Sequence, residues 1–186
     1  MAFDTFRASF GAPTTYRPYD EAARARLAGR LPDGLEPLLL ADGFAVYADG
    51  LVTTCDPDDL AIAARAWFPD NPEVQLFGHG AFGDVFVWDG QEVGVLDPHL
   101  GQLDPIALDA EELFERAFTR PSYRERALHA ARVADLAGAL GAPSWDEMFA
   151  YEPALALGGS GAPDTVRRVG LVEHLVLLAQ IVGLRG

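Results

Sequence analysis

Gly78, Gly80, Gly83 and Val85 spell G-x-G-x-x-G-x-V, the spacing with which a glycine-rich loop lays its backbone over ATP phosphates. That chemistry also needs a lysine on the following strand to hold the α- and β-phosphates. The combined Lys+Arg count of 14 is filled by arginine alone, which removes the P-loop lysine as well. A dinucleotide fingerprint fails because a helix should open at Gly83, whereas the chain alternates Val85, Phe86, Val87, Trp88. His79, Asp84, Asp97 and His99 lie on or beside this stretch and could converge as a His/carboxylate metal site. No ligand spacing such as H-E-x-x-H accompanies them, so they read as hairpin-end residues bonding turn backbones. Gly158-Gly159-Ser160-Gly161-Ala162, with His174 downstream, approaches the nucleophile elbow G-x-S-x-G, but Ala162 takes the last glycine position and Pro163 follows at once. No catalytic, cofactor-binding or metal-binding residue is assigned, and the chain reads as a non-enzyme. His129 reads as a solvated residue of an Ala-rich helix and His174 as a hydrogen-bonded core histidine.

The elements around these residues follow from periodicity. Val85 and Val87 point to one face of a strand and Phe86 and Trp88 to the other; after a two-residue Asp89-Gly90 turn the chain returns as Gln91 to Leu96. Bulky apolar groups on both faces predict a central hairpin. Upstream, Phe3, Phe6 and Phe10 recur at helical spacing and stop at Gly11, Asp20 to Arg30 forms a superficial helix, and Leu35, Leu38 and Leu39 form a third that stops at Asp42-Gly43. Phe44 to Val46 and Leu51 to Thr54 flank Asp49-Gly50 as a second hairpin. Asp56 reads as a helix N-cap, with Pro57 at the first helical position and Asp58 and Asp59 in the first turn.

After an Asp97 to Gly101 turn and a Gln102 to Ile106 strand, the chain reads as mostly helical. Asp109 with Glu112, Ser122 with Glu125 and Ser144 with Glu147 predict capping boxes for helices near 110–119, 122–140 and 145–149. A glycine turn closes residues 154–161, and Leu171 to Val182, apolar nearly all round, predicts a buried final helix. The expected fold is α+β: a central antiparallel sheet of hairpins with N-terminal helices, then a mostly helical C-terminal half packed on it. The halves divide at residues 1–105 and 106–186 within one compact unit.

Composition bounds the function. A chain of 186 residues with 49% hydrophobic content can bury a real core, and Cys55, the single cysteine, reads as a small buried hydrophobe. The N-terminal segment has neither a basic n-region nor a continuous apolar run, and nothing reaches membrane-spanning length, so a cytoplasmic location away from membranes is expected. With 28 acidic residues the formal net charge is -14, which argues against direct nucleic-acid binding and suits solubility or steering toward a basic partner.

Taken in order, Leu31-Pro32 with Leu35 and Gly43, Asp49-Gly50-Leu51, Ala81-Phe82-Gly83-Asp84 and Val87-Trp88-Asp89-Gly90 form the first part of a longer series. It continues through Leu96-Asp97-Pro98-His99-Leu100-Gly101, Pro153 to Gly159, and Glu173-His174-Leu175 with Leu178-Ala179-Gln180. Over nearly its whole length the chain resembles the bacterial GAD-like plus immunity-protein family associated with type VI secretion DNase effectors. The resemblance implies an antitoxin that binds and neutralises a cognate toxin, a basic nuclease domain, as a monomer or weak dimer. It implies an N-terminal GAD-like half and an immunity-type C-terminal half, with Phe82, Gly83, Asp84, Trp88, Asp97, Gly158, Gly159 and His174 as structural motif residues. Exposed carboxylates expected to face a basic cleft are Asp56, Asp58 and Asp59, or Asp109, Glu111, Glu112 and Glu115. The alternative is a regulatory domain binding a small molecule or peptide in a pocket at Gly78 to Gly83 and Trp88.

Overall fold

Strand alternation sends Val85 and Val87 to one side and Phe86 and Trp88 to the other, and the computed structural model, which describes residues 3–183, covers both sides. Met1 and Ala2, part of the segment read for a leader, and residues 184–186 lie outside the described residues. Seven strands, β1 (Thr14–Arg17), β2 (Phe44–Tyr47), β3 (Val52–Thr54), β4 (Gln75–Gly80), β5 (Val85–Trp88), β6 (Val93–Asp97) and β7 (Gln102–Ala107), pair antiparallel in sequence order. The fold is thus α+β around a central antiparallel sheet with N-terminal and C-terminal helices, as expected.

One face carries an aromatic core. Helix α1 (Asp4–Phe10) lays Phe6 and Phe10 on it, with Phe6 edge-on to Phe114 at 5.0 Å and Phe86 5.0 Å from Phe118. Helices α2 (Glu21–Leu27) and α3 (Glu36–Asp42) add Leu27, Leu38 and Leu39 to the same core. The other face is covered by α4 (Ala61–Trp67) and by α7 (Leu171–Ile181), through Trp67, Leu171, Leu175 and Leu178 over Leu76, Val85, Val87 and Leu96. Trp67 Nε1 donates to the Leu175 carbonyl at 3.0 Å, tying these two helices together. Both cores therefore draw on residues from before and after position 105.

The second half departs from the expected helices. Residues 145–149 form no helix. The Ser144–Glu147 pair closes a turn, Ser144 N–H donating to Glu147 Oε2 at 3.0 Å, and the chain then extends as β8 (Glu147–Tyr151), paired with β9 (Val166–Gly170). Strand period prevails because Phe149 and Tyr151 enter the aromatic core while Met148 and Ala150 enter the other. The 122–140 helix is two, α5 (Pro121–Arg126) and α6 (Ala130–Leu140), broken where His129 takes a φ of 54°. His129 is therefore a break residue rather than part of a helix, and Pro121 opens α5 without a Ser122 cap. Asp109 does cap, accepting Glu112 N–H at 2.7 Å, but the turn it opens, Glu112–Ala117, is π-helical. Helix α7 is not buried all round: Leu177 stays 45% exposed.

Smaller differences have local causes. The β5–β6 loop is four residues, since Trp88 pairs with Val93 and the Asp89 carboxylate accepts the Gln91 and Glu92 N–H groups at 2.8 and 2.9 Å. Asp56 caps a turn that precedes α4 rather than α4 itself, accepting Asp58 N–H at 3.1 Å. No helix among the described residues is long and apolar enough to cross a membrane.

Asp56 is the electrostatic anchor of the first half. Its side chain is 1% exposed and pairs with Arg26 from α2 and Arg17 from β1. Burial pushes its carboxyl upward, but Arg26, the Asp58 N–H and Arg17 outweigh that and hold it below the ordinary value of 3.8. A lowered folded value means stabilisation that is complete above the unfolded value and lost as acidification reaches the folded one. Asp56→Asn should cost about 2 kcal/mol at neutral pH, the worth of a hydrogen bond to a charged group. Urea denaturation from neutral to about pH 3 should show the gap to wild type closing as the carboxylate protonates; a gap constant with pH would assign the loss to packing instead.

Candidate functional site

The carboxylates singled out for a partner are mostly engaged within the chain. Asp56 is buried, contrary to its expected exposure, and Asp58 takes both Arg26 and, at 2.8 Å, Arg30. Asp59 receives Arg17 at 2.9 Å, and burial, opposed by Arg17, raises its carboxyl above the usual value. In the second cluster Asp109 caps, and Glu112 returns to accept Leu108 N–H at 3.0 Å. Glu115 accepts Thr5 and Phe6 N–H at 3.0 and 3.3 Å, capping α1 from more than a hundred residues away. Glu111 alone of the seven is exposed and bonded to nothing among the described residues.

Several of the motif residues, Phe82, Gly83, Asp84, Asp97 and His174, gather at a joint between the two halves. Gly83 turns β4 into β5 at a φ of 81°, where a Cβ would lie 2.7 Å from Met148 Sδ, so β8 can seat directly on the turn. Phe149 N–H donates to the Ala81 carbonyl at 2.8 Å beside it. Phe82 stacks on Tyr151 at 5.6 Å, and the Arg132 guanidinium lies over both rings at 5.4 and 5.2 Å. At Gly159 a Cβ would strike the Pro153 carbonyl, and Gly158 caps the short 3-10 turn before it. Trp88 is 9% exposed within the aromatic core, so it lines no open pocket and the ligand-pocket alternative loses its central residue.

Titratable groups gather at this joint. Asp84 heads β5 beside Asp97 at the end of β6, and burial, with the Asp97 charge adding to it, raises the Asp84 carboxyl to about 7. Asp97 Oδ1 accepts the His99 and Leu100 N–H groups, and His99 Nε2 lies 3.1 Å from the Phe82 carbonyl. His99 Nδ1 and His174 Nε2 are buried without a partner among the described residues, and burial lowers both imidazoles. The expected hydrogen bond of His174 is thus absent at that nitrogen. His79 lies apart, its ring between the Gly80 and Trp145 carbonyls at 2.9 and 3.0 Å. Among the described residues no group of His, Cys, Asp and Glu is arranged to hold a metal ion. Ser160, exposed, accepts Ala162 N–H within its turn.

A cleft of about 520 Å³ opens where the start of α4 meets the start of α7, lined by Asp59, Leu60, Trp145, Asp146, Glu147 and Glu173 among others. Trp145 stacks on Tyr16 at 4.6 Å and 8°, with the Arg17 guanidinium over both rings. Asp146 accepts the Ser144 hydroxyl at 2.6 Å and Glu147 pairs with Arg168 at 3.3 Å, while Glu173 is exposed and unpaired among the described residues.

Two family models match the chain. The GAD-like domain covers residues 1–97, and the C-terminal domain of the type VI secretion immunity protein Tdi1 covers residues 109–182. The chain belongs to the GAD-like/Tdi1 immunity family. It is a type VI secretion immunity protein on that ground. No curated protein matches it. A solved structure, Atu4351 from Agrobacterium tumefaciens, superposes with a TM-score of 0.73 over 96% of this chain and 88% of that one, at 19% identity, a likeness of fold.

The family division gives the cleft its meaning. Asp59 and Leu60 come from the GAD-like domain, and Trp145, Asp146, Glu147 and Glu173 from the Tdi1 domain, so the cleft exists only when the two are docked. Trp145 and Asp146 were hidden by the helical reading of their segment.

The raised Asp84 carboxyl makes a checkable statement about the joint. A folded value above the unfolded 3.8 contributes stability that is complete below 3.8 and lost progressively as pH rises through about 7. Asp84→Asn should therefore gain on wild type across that window and hold the gain above it, in guanidinium denaturation at about pH 4 and pH 8. Parallel curves would show that the carboxyl is not held protonated.

Proposed function

We propose that this protein neutralises, by one-to-one binding and without catalysis, a toxin delivered by type VI secretion, that the toxin is a DNase, and that binding takes place in the cytoplasm. The observation that carries the reading is the succession of the GAD-like match over residues 1–97 and the Tdi1 immunity match over residues 109–182. The net charge of -14 suits capture of a basic nuclease domain, since opposite potentials speed encounter and fix register. The docking surface proposed is the seam cleft. It offers an aromatic side chain, Trp145, beside the uncommitted carboxylate of Glu173 and that of Asp146, the mix of aromatic anchor and charge that concentrates binding energy. Glu111 is the remaining free acid of the sequence-derived set and a second, weaker candidate.

Co-expression with the protein encoded beside it, co-purification and a DNA-degradation assay test the reading. A stable complex with nuclease activity lost is expected. A neighbour that neither binds nor degrades DNA would overturn the pairing. Reversing Asp146 and Glu173 to Arg should slow association about ten-fold at low salt, with the difference shrinking at high salt. Wild-type on-rates in that variant, together with slowed association in Glu111→Arg, would move the contact to the second surface.

A further inference from the structure

The arginines of this acidic protein are not evenly neutralised. Arg17, Arg24, Arg26 and Arg30 of the first half, and Arg167 and Arg168 of β9, all face carboxylates within 4 Å. Arg116, Arg120, Arg124 and Arg126 fall within one short stretch, and none of them makes an ion pair among the described residues. The acid in their midst is turned to other use, Glu125 accepting the Ala131 N–H at 3.4 Å. Arg65 and Arg132 also make no ion pair but stand singly, so in a chain with twice as many acids as bases this stretch is a cationic island among the described residues.

The island has shape as well as charge. A shallow recess of about 370 Å³ is lined by Arg120, Ser122, Tyr123, Arg126 and Ala127, with no carboxylate in its wall. Its scaffold is anchored from below. Tyr123 packs on Phe118 at 5.9 Å, and Arg124 lies 5.6 Å over Phe10 while donating to the Ser9 carbonyl at 3.4 Å. Arg126 spends only its Nε, on the Ser122 carbonyl at 3.3 Å. Its terminal nitrogens and the whole Arg120 guanidinium are left without protein partners among the described residues. The free Arg120 guanidinium, the two terminal nitrogens of Arg126 and a serine hydroxyl in one wall form a donor-rich surface without a carboxylate, which matches the oxygens of a phosphate.

We infer that this recess binds a small phosphate monoester. Two uncompensated positive charges call for a dianion, and a phosphate monoester carries about -1.5 to -2 at neutral pH where a carboxylate carries one charge. The surrounding net charge of -14 disfavours a long polyanion such as duplex DNA, so the ligand is a free phosphate compound. The inference does not depend on toxin binding.

The test is calorimetric titration of the full chain at low ionic strength with inorganic phosphate, adenosine monophosphate, acetate and a DNA duplex. Saturable one-to-one binding of phosphate or of adenosine monophosphate, without acetate binding, is expected. Tighter binding of the nucleotide would extend the site to a nucleoside, and equal binding would confine it to the phosphate. The double reversal Arg120→Glu with Arg126→Glu should weaken binding at least about ten-fold, whereas Arg24→Glu with Arg168→Glu, which changes net charge equally, should not. Circular dichroism and the melting temperature check that both variants fold. No saturable phosphate binding, equal weakening by the two double variants, or tighter binding of duplex than of either small ligand would overturn it.

Discussion

A seven-stranded sheet with apolar side chains on both faces must be covered twice, and neither domain carries enough helix to do so alone. The GAD-like domain supplies α1 to α3 for one face and only the short α4 for the other. The Tdi1 domain completes both, sending Phe114 and Phe118 into the aromatic core and Leu171, Leu175 and Leu178 beside Trp67. Burial of apolar surface, at roughly 25 cal/mol for each Å² removed from water, holds residues of both domains against the one sheet they share. Everything on the surface, the seam cleft included, is held by that shared requirement.

The charge of the protein is organised around the same scaffold. Acids that look like a docking face in one dimension are largely structural in three: Asp56 gathers arginines from α2 and β1, Glu115 caps α1, and Asp109 caps the π-helical turn. Which carboxylates are left over is settled by tertiary contact. Glu173 stands at the cleft because α7 must begin where β9 ends, and Trp145 stands beside it because Tyr16 offers a stacking face. The arginine island is the complement of this arrangement, a place where cations were not drawn into internal pairs.

The motif residues occupy a different physical niche. Gly83, Phe82, Asp84, Asp97 and His174 surround the joint between the β4–β5 turn and β8, while Gly159 serves its own turn against Pro153. Their environments are those of close backbone approach, ring stacking and partial burial of ionisable groups, not of an exposed docking face. A surface that must discriminate between toxins is free to vary and leaves no such pattern.

Periodicity and turn chemistry are enough for α1 to α3 as helices, for the β2–β3 hairpin and for β5 as a central strand, because each is decided by contacts a few residues apart, whereas β1, β4 and the strand order are not legible there, and α2, superficial by its composition, sends Ala23 and Leu27 into the core. The strand that follows Gly83 is likewise legible from the alternation of Val85 to Trp88. The division of 122–140 at His129, the turning of 145–149 into a strand and the half-exposed state of α7 were decided elsewhere. There the local signals allowed helix, and the outcome rested on which face of the sheet remained uncovered and on where β9 lay as a pairing partner. The same holds for the carboxylates: their number and sign were plain in one dimension, but whether each is a cap, an ion-pair partner or a free charge depends on groups brought near only when the sheet closes.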